Sequence, residues 1–89
     1  MEDEIISVVL GEEWDDALRK RLMVLLEEMG ARAGEHQRGH AGSQELETLE
    51  VTLDGKTLRV EAETYIGLTL SGPRSLVEAI QSRLASAPT

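Results

Sequence analysis

The chain contains no cysteine, and only two of its 89 residues are aromatic. The absence of cysteine excludes a disulfide framework, a thiolate metal site and a thiol nucleophile. Because Trp14 and Tyr65 are the only aromatic side chains, the core must be built from leucine, isoleucine and valine. A domain of this size buries roughly 60–65% of its unfolded surface, so that core is thin.

The chain also lacks long apolar runs, and its first residues are not basic. The longest apolar run, Ile5 to Leu10, contains Ser7 and is far too short to cross a bilayer. The chain begins Met1-Glu2-Asp3-Glu4, which is acidic where a secretory signal is basic. We therefore expect one cytoplasmic domain over residues 1–89, with no membrane partner.

Positive charge is scarce, since 9 Lys and Arg residues stand against 17 Asp and Glu residues, for a formal net charge of −8. Such a surface repels phosphate backbones. Double-stranded-RNA-binding domains resemble this chain in element order only, because they carry a lysine cluster where this chain reads Gly72-Pro73-Arg74-Ser75. We expect no nucleic-acid partner. A basic protein partner suits the charge, although acidic surfaces also serve solubility alone.

The strongest positive signal is the alternation of apolar and polar residues from Leu46 to Ser71. This two-residue period predicts a sheet with one buried face and one exposed face. Asp54-Gly55 predicts a two-residue hairpin turn, because both turn positions favour positive φ. The predicted register pairs Leu53 with Lys56, Val51 with Leu58, Leu49 with Val60, and Glu50 with Arg59.

The run from Lys56 to Ser71 never changes its apolar parity. As one straight strand it would span about 50 Å, whereas a domain of this length has a radius of gyration near ~12 Å. The run must therefore turn, bend or project into a partner subunit. A three-residue loop near Thr64 keeps the parity and gives a meander, which we prefer. A single strand bent at a bulge at Gly67 is the alternative.

Two helices are predicted from apolar residues spaced three or four apart. The first covers residues 12–29, with Trp14 as an anchor against the sheet, an Asp15–Arg19 ion pair and a left-handed cap at Gly30. The second begins at Gly72-Pro73 and ends in a frayed tail over residues 85–89.

The remaining segments complete the predicted fold. Residues 4–10 are a strand, and residues 31–37 carry a weak strand pattern. His36 to Gln44 has two glycines and no apolar period, which predicts a mobile loop over residues 36–44. The order β-α-(β)-β-β-β-α predicts a two-layer α+β sandwich, a mainly antiparallel sheet with both helices on one face.

No motif in the chain carries recognisable chemistry. His36 and His40 are separated by Gly39 in the predicted loop, so nothing fixes them as metal ligands. Ser43 beside His40 lacks the strand-turn-helix setting of a nucleophile. Glu61 and Glu63 lie on the wet face, without the burial that acid–base catalysis uses. We expect no catalytic residue, no cofactor and no metal, and hence a non-enzymatic protein.

Three functions remain open, and the third is an inhibitor-like or antitoxin-like protein whose acidic surface mimics or receives a basic partner. The first is an accessory or regulatory protein, expected to be a homodimer, that makes protein–protein contacts through the exposed sheet face. Its candidate interface residues are Thr48, Glu50, Thr52, Thr57, Arg59, Tyr65, Gly67 and Thr69. The alternative is a small-molecule-binding protein, or failing that an enzyme, with its site under the 36–44 loop. Its candidate ligand contacts are His36, Arg38, His40 and Ser43.

Overall fold

A computed structural model describes residues 4–86 of the chain. Within that range the chain forms one five-stranded sheet and two helices. In chain order they are β1 (Ile5–Gly11), α1 (Asp16–Glu28), β2 (Arg32–Ala41), β3 (Gln44–Leu53), β4 (Lys56–Glu63), β5 (Gly67–Pro73) and α2 (Arg74–Ser86). The strand order is β1-β5-β4-β3-β2, and all neighbours are antiparallel. The predicted α+β fold class is confirmed.

The β3–β4 hairpin has the register that the alternation and Asp54-Gly55 predicted. Leu53 lies opposite Lys56, Val51 opposite Leu58, Leu49 opposite Val60, and Glu50 opposite Arg59. Asp54 and Gly55 both have positive φ, at 52° and 75°. Turn residues of this kind twist in the same sense as the strands they join, which is why the sequence signal is strong.

The long run after Lys56 is a meander. β4 ends at Glu63, residues 64–66 form a three-residue turn, and β5 begins at Gly67. Tyr65 has φ of 76°, an uncommon value for a residue with a side chain. The preferred three-residue loop is therefore confirmed.

The core lies between the sheet and the two helices. Leu22 and Leu26 of α1, and Val77, Ile80 and Leu84 of α2, cluster with Val51, Leu53, Leu58, Val60, Leu68 and Leu70 of the sheet. Val60 is 6% exposed and Leu68 is 1% exposed, so the predicted dry face is dry. Both helices cover this face, which leaves the opposite face without a helix over it.

The predicted mobile loop over residues 36–44 is wrong. Residues 36–41 belong to β2, which pairs with β3, and only Gly42 and Ser43 form the turn between the two strands. β2 lies at the edge of the sheet, and residues 32–40 are all exposed. A strand that is held by backbone hydrogen bonds and is exposed on both faces needs no alternation of apolar residues. The sequence pattern therefore did not indicate a strand over residues 36–41.

The start of α1 and the end of α2 also differ from expectation. α1 begins at Asp16 rather than at residue 12, because the Asp15 side chain accepts a 3.0 Å hydrogen bond from the Leu18 backbone N–H and caps the helix there. Trp14 therefore precedes the helix and is exposed, which makes its predicted role as an anchor wrong. The predicted tail over residues 85–89 is helical through Ser86, and residues 87–89 lie outside the described residues.

The predicted cap at Gly30 is confirmed, with φ of 92° just after α1. Neither helix within residues 4–86 has the length and apolar character needed to cross a membrane.

Candidate functional site

The open face of the sheet collects most of the residues predicted to form an interface. Side chains alternate along each strand, so residues opposite in parity to Val51 and Val60 point away from the helices. Five of the predicted residues share that parity and lie on β3 and β4, namely Thr48, Glu50, Thr52, Thr57 and Arg59. Arg59 donates a 3.1 Å hydrogen bond to Glu50, the cross-strand pair that the register predicted.

The other three predicted interface residues lie elsewhere or are covered. Gly67 is buried, and a Cβ added there would overlap the Gly11 carbonyl oxygen of β1. Thr69 is only 9% exposed. Tyr65 is exposed, but it lies in the 64–66 turn, where its hydroxyl is 3.2 Å from the Ser43 hydroxyl. Gly67 and Thr69 therefore offer little surface to a partner.

The centre of the open face is acidic. A shallow depression there is lined by Glu35 and Gln37 of β2, Leu46, Thr48 and Glu50 of β3, and Arg59 and Glu61 of β4. The depression therefore contains three carboxylates, those of Glu35, Glu50 and Glu61. Its one guanidinium, that of Arg59, is already paired with Glu50. Among the described residues, neither Glu35 nor Glu61 is paired with a cation. The depression presents two carboxylates to any molecule that approaches.

A second group of polar side chains lies on the helix side of the sheet. Between Ala33 and His36 the β2 register shifts, so that two residues of β2, Gly34 and Glu35, lie opposite one residue of β3, Glu50. This bulge turns His36, which pairs with Leu49, toward the helices; without it His36 would point to the open face. Arg38 and His40 follow on the same side, opposite Glu47 and Glu45.

Glu47 is the centre of that group. Arg19 of α1 donates a 2.6 Å hydrogen bond to Oε1 of Glu47, and Arg38 donates one of 3.1 Å to Oε2. The Nε2 atom of His36 lies 2.6 Å from the same Oε2. The Glu47 side chain is only 19% exposed. One carboxylate on the core side of the sheet is therefore held by two guanidinium groups and an imidazole.

The electrostatics of the cluster follow from these contacts. The hydrogen bond from Arg19 lowers the pKa of Glu47 most, burial opposes it, and the bonds from His36 and Arg38 lower it further, to about 2. The carboxylate is thus ionised at neutral pH and can only accept hydrogen bonds. It follows that Nε2 of His36 carries a proton and donates to Glu47.

A cavity of about 390 Å³ opens beside Glu47, between α1 and the sheet. Arg19, His36 and Glu47 border it, and the rest of its wall is mainly aliphatic: Leu22, Met23, Ala33, Gly34, Leu49, Val60, Ala62 and Leu68. Cavities of this volume, largely apolar with a few polar groups, are typical of small-molecule sites.

The predicted ligand-loop residues are therefore divided by the structure. His36 and Arg38 meet at Glu47, whereas His40 lies 3.5 Å from Glu45 and Ser43 contacts Tyr65. The two histidines address different carboxylates and do not converge. Within residues 4–86 no group of three or more histidine and carboxylate side chains is placed to hold a metal ion.

Sequence reasoning missed Glu47 and the long-range role of Arg19. Arg19 contacts Glu47 instead of the predicted Asp15, whose carboxylate is occupied in capping α1. One sequence signal was present, since Glu47 has the parity of Leu49, Val51 and Leu53. A charged residue on the core side of an alternating strand must be paired with an opposite charge, which predicts a partner for Glu47. Comparisons with known proteins returned no matching family model, no matching curated protein and no matching solved structure.

Proposed function

We propose that this protein is a non-enzymatic accessory or regulatory protein that binds a partner protein through the open face of its sheet. The observation that supports the proposal most is the placement of both helices on one side, which leaves the other side of the sheet without a covering layer. Sheets with one wet face are common, so the charge of that face has to identify the partner.

The charge of the open face favours a basic partner. Glu35 and Glu61 lie beside Thr48 in a depression whose only cation, Arg59, is held by Glu50. Stacking two copies face to face would bring two net acidic surfaces together, which costs free energy unless cations intervene. A partner with an Arg- or Lys-rich surface is complementary, and attraction to the net charge of −8 would speed its association.

The proposal includes a cytoplasmic location. A chain of 89 residues without cysteine has no disulfide to stabilise it in an oxidising compartment. The homodimer stays a sequence-based prediction, and light scattering of the purified protein over a range of concentrations tests it.

A charge-reversal pair tests the open face. A protein captured from native extract by the wild-type chain is identified, purified and titrated by calorimetry against E35K/E61K and against E27K/E28K. Both variants change the net charge equally, but Glu27 and Glu28 lie exposed near the end of α1. We expect E35K/E61K to weaken binding at least about tenfold, and E27K/E28K to change it less than about threefold.

The dependence of the binding affinity on ionic strength is a second test of the same complex. Raising the ionic strength from about 0.05 M to about 0.5 M should weaken wild-type binding, because exposed charges are screened beyond a Debye length. Equal affinities for the two variants, or a captured protein that binds without salt dependence, would contradict docking at the acidic face. Circular dichroism of each variant confirms that it is folded before its affinity is compared.

A further inference from the structure

The cavity beside Glu47 has features that partner docking at the open face does not use, since it lies on the other side of the sheet. Its aliphatic lining comprises the partly exposed Met23, Leu49 and Ala62, the exposed Ala33, and the buried Leu22, Val60 and Leu68. Met23, Leu49 and Ala62 form the floor that a ligand can contact, because part of each side chain is open to solvent.

The polar rim of this cavity consists of Arg19, His36 and Glu47. Arg38 does not line the cavity, but it contacts Oε2 of Glu47, so two guanidinium groups share the single negative charge of that carboxylate. The positive charge of Arg19 is therefore only partly neutralised by Glu47. A guanidinium in this position attracts an anion, and an apolar floor accepts an aliphatic chain.

The hydrogen-bonding capacity of the rim points the same way. Both oxygens of Glu47 are occupied, Oε1 by Arg19 and Oε2 by His36 and Arg38, so Glu47 has little to offer an ammonium ligand. Arg19 has five N–H donors, and its contact with Glu47 is made through Nη2. The remaining guanidinium donors at the cavity mouth suit a carboxylate.

We propose that this cavity binds a small aliphatic carboxylic acid, with its chain on the floor formed by Met23, Leu49 and Ala62 and its carboxylate beside Arg19. The volume of about 390 Å³ accommodates an acid of roughly eight carbons. This site is independent of the open face, so either proposal can fail without the other.

Titration with three matched probes tests the proposal. Octanoate, octanamide and octylammonium share a chain and differ in the charge of the head group. Two-dimensional NMR at low ionic strength should show octanoate shifting the signals of Met23, Leu49 and Ala62, with a Kd of about 1 mM or tighter. Octanamide should bind at least about fivefold more weakly, and octylammonium should not shift those signals.

Three variants locate the ligand. R19Q should lose the preference for octanoate over octanamide, whereas K20Q, which removes the same charge from an exposed neighbour, should keep it. A33F fills the cavity from β2 and should abolish the shifts caused by both probes. Since R19Q also removes one of the two 2.6 Å contacts of Glu47, its thermal unfolding is followed by circular dichroism, and A33F decides the matter if R19Q is unfolded.

Three outcomes would overturn the proposal. The first is octanoate shifts that fall outside the cavity. The second is equal affinity for octanoate and octylammonium. The third is an A33F protein that is folded and still binds octanoate as the wild type does.

Discussion

Replacing Gly67 with alanine should lower the free energy of unfolding by about 2–4 kcal/mol, a large part of the stability of a small domain. Gly67 has φ of 116°, a conformation that residues with a side chain rarely adopt. An added Cβ would also overlap the Gly11 carbonyl oxygen, which belongs to the backbone of β1 and has no rotamer through which to move aside. The β1–β5 pairing would have to open to accommodate it.

Gly39 provides the matched control for this substitution. It lies in the exposed edge strand β2, and a Cβ added there would meet no heavy atom within 4 Å beyond its two chain neighbours. G39A should therefore change the free energy of unfolding by less than about 0.5 kcal/mol. Urea unfolding followed by circular dichroism measures both variants. Equal stability of G67A and G39A would show that β1 does not approach β5 at Gly67.

The same substitution also bears on the predicted role of Gly67 in a partner interface. The exposed parity of the 46–71 run placed Gly67 among the interface candidates, but parity cannot tell whether a neighbouring strand covers the position. β1 is distant in sequence and pairs with β5, so its backbone at Gly11 lies against Gly67. Loss of partner binding in G67A would therefore report loss of the fold.

The hairpin and meander could be predicted because their signals are local. Apolar residues two apart on both sides of Asp54-Gly55 admit one register, and a slip of one residue would expose the leucines. The turn over residues 64–66 has no glycine, proline or asparagine, and only the length of the run required it. Tyr65 occupies the positive-φ position there without a residue type that announces it.

Only the first part of β2 was predicted, as a strand over residues 31–37, because an edge strand buries little. Every residue from 32 to 40 is exposed, so burial imposes no alternation on the segment. The first helix was predicted too long for a different reason. Trp14 fits the apolar spacing, but the Asp15 side chain accepts a hydrogen bond from the Leu18 backbone N–H, so the helix begins after Asp15. A short-range hydrogen bond overrode the longer-range periodicity.

The Glu47 cluster depends on two features that spacing does not reveal. Arg19 and Glu47 are 28 positions apart and meet only because α1 packs across the sheet. His36 joins them only because a bulge beginning at Gly34 reverses the parity of β2. Glycine inside a strand pattern is a known mark of a bulge, but the pattern over residues 31–37 was too weak for Gly34 to be recognised as one.

Replacing Glu47 with glutamine should cost about 2 kcal/mol of stability at pH 7. The Arg19 guanidinium, with His36 and Arg38, holds the pKa of Glu47 at about 2, below its ordinary value of 4.5, so the ionised carboxylate stabilises the folded state. The figure is smaller than the full shift implies, because Arg19 and Arg38 are partly exposed and solvent screens them. Glutamine keeps the shape of the side chain and removes its charge.

The dependence on pH separates this electrostatic effect from a simple packing loss. Because folding lowers the pKa of Glu47, its contribution is complete above about pH 4.5 and is lost as the pH falls through about 2, below which the carboxyl is protonated in both states. Urea unfolding at pH 7, 4 and 2.5 should show the wild type losing its advantage over E47Q along that series. E45Q is the control, since Glu45 is exposed on the same strand and lies 3.5 Å from His40; it should differ from the wild type by less than about 0.5 kcal/mol. A difference between E47Q and the wild type that stays constant from pH 7 to 2.5 would mean that the ion pairs with Arg19 and Arg38 do not stabilise the fold.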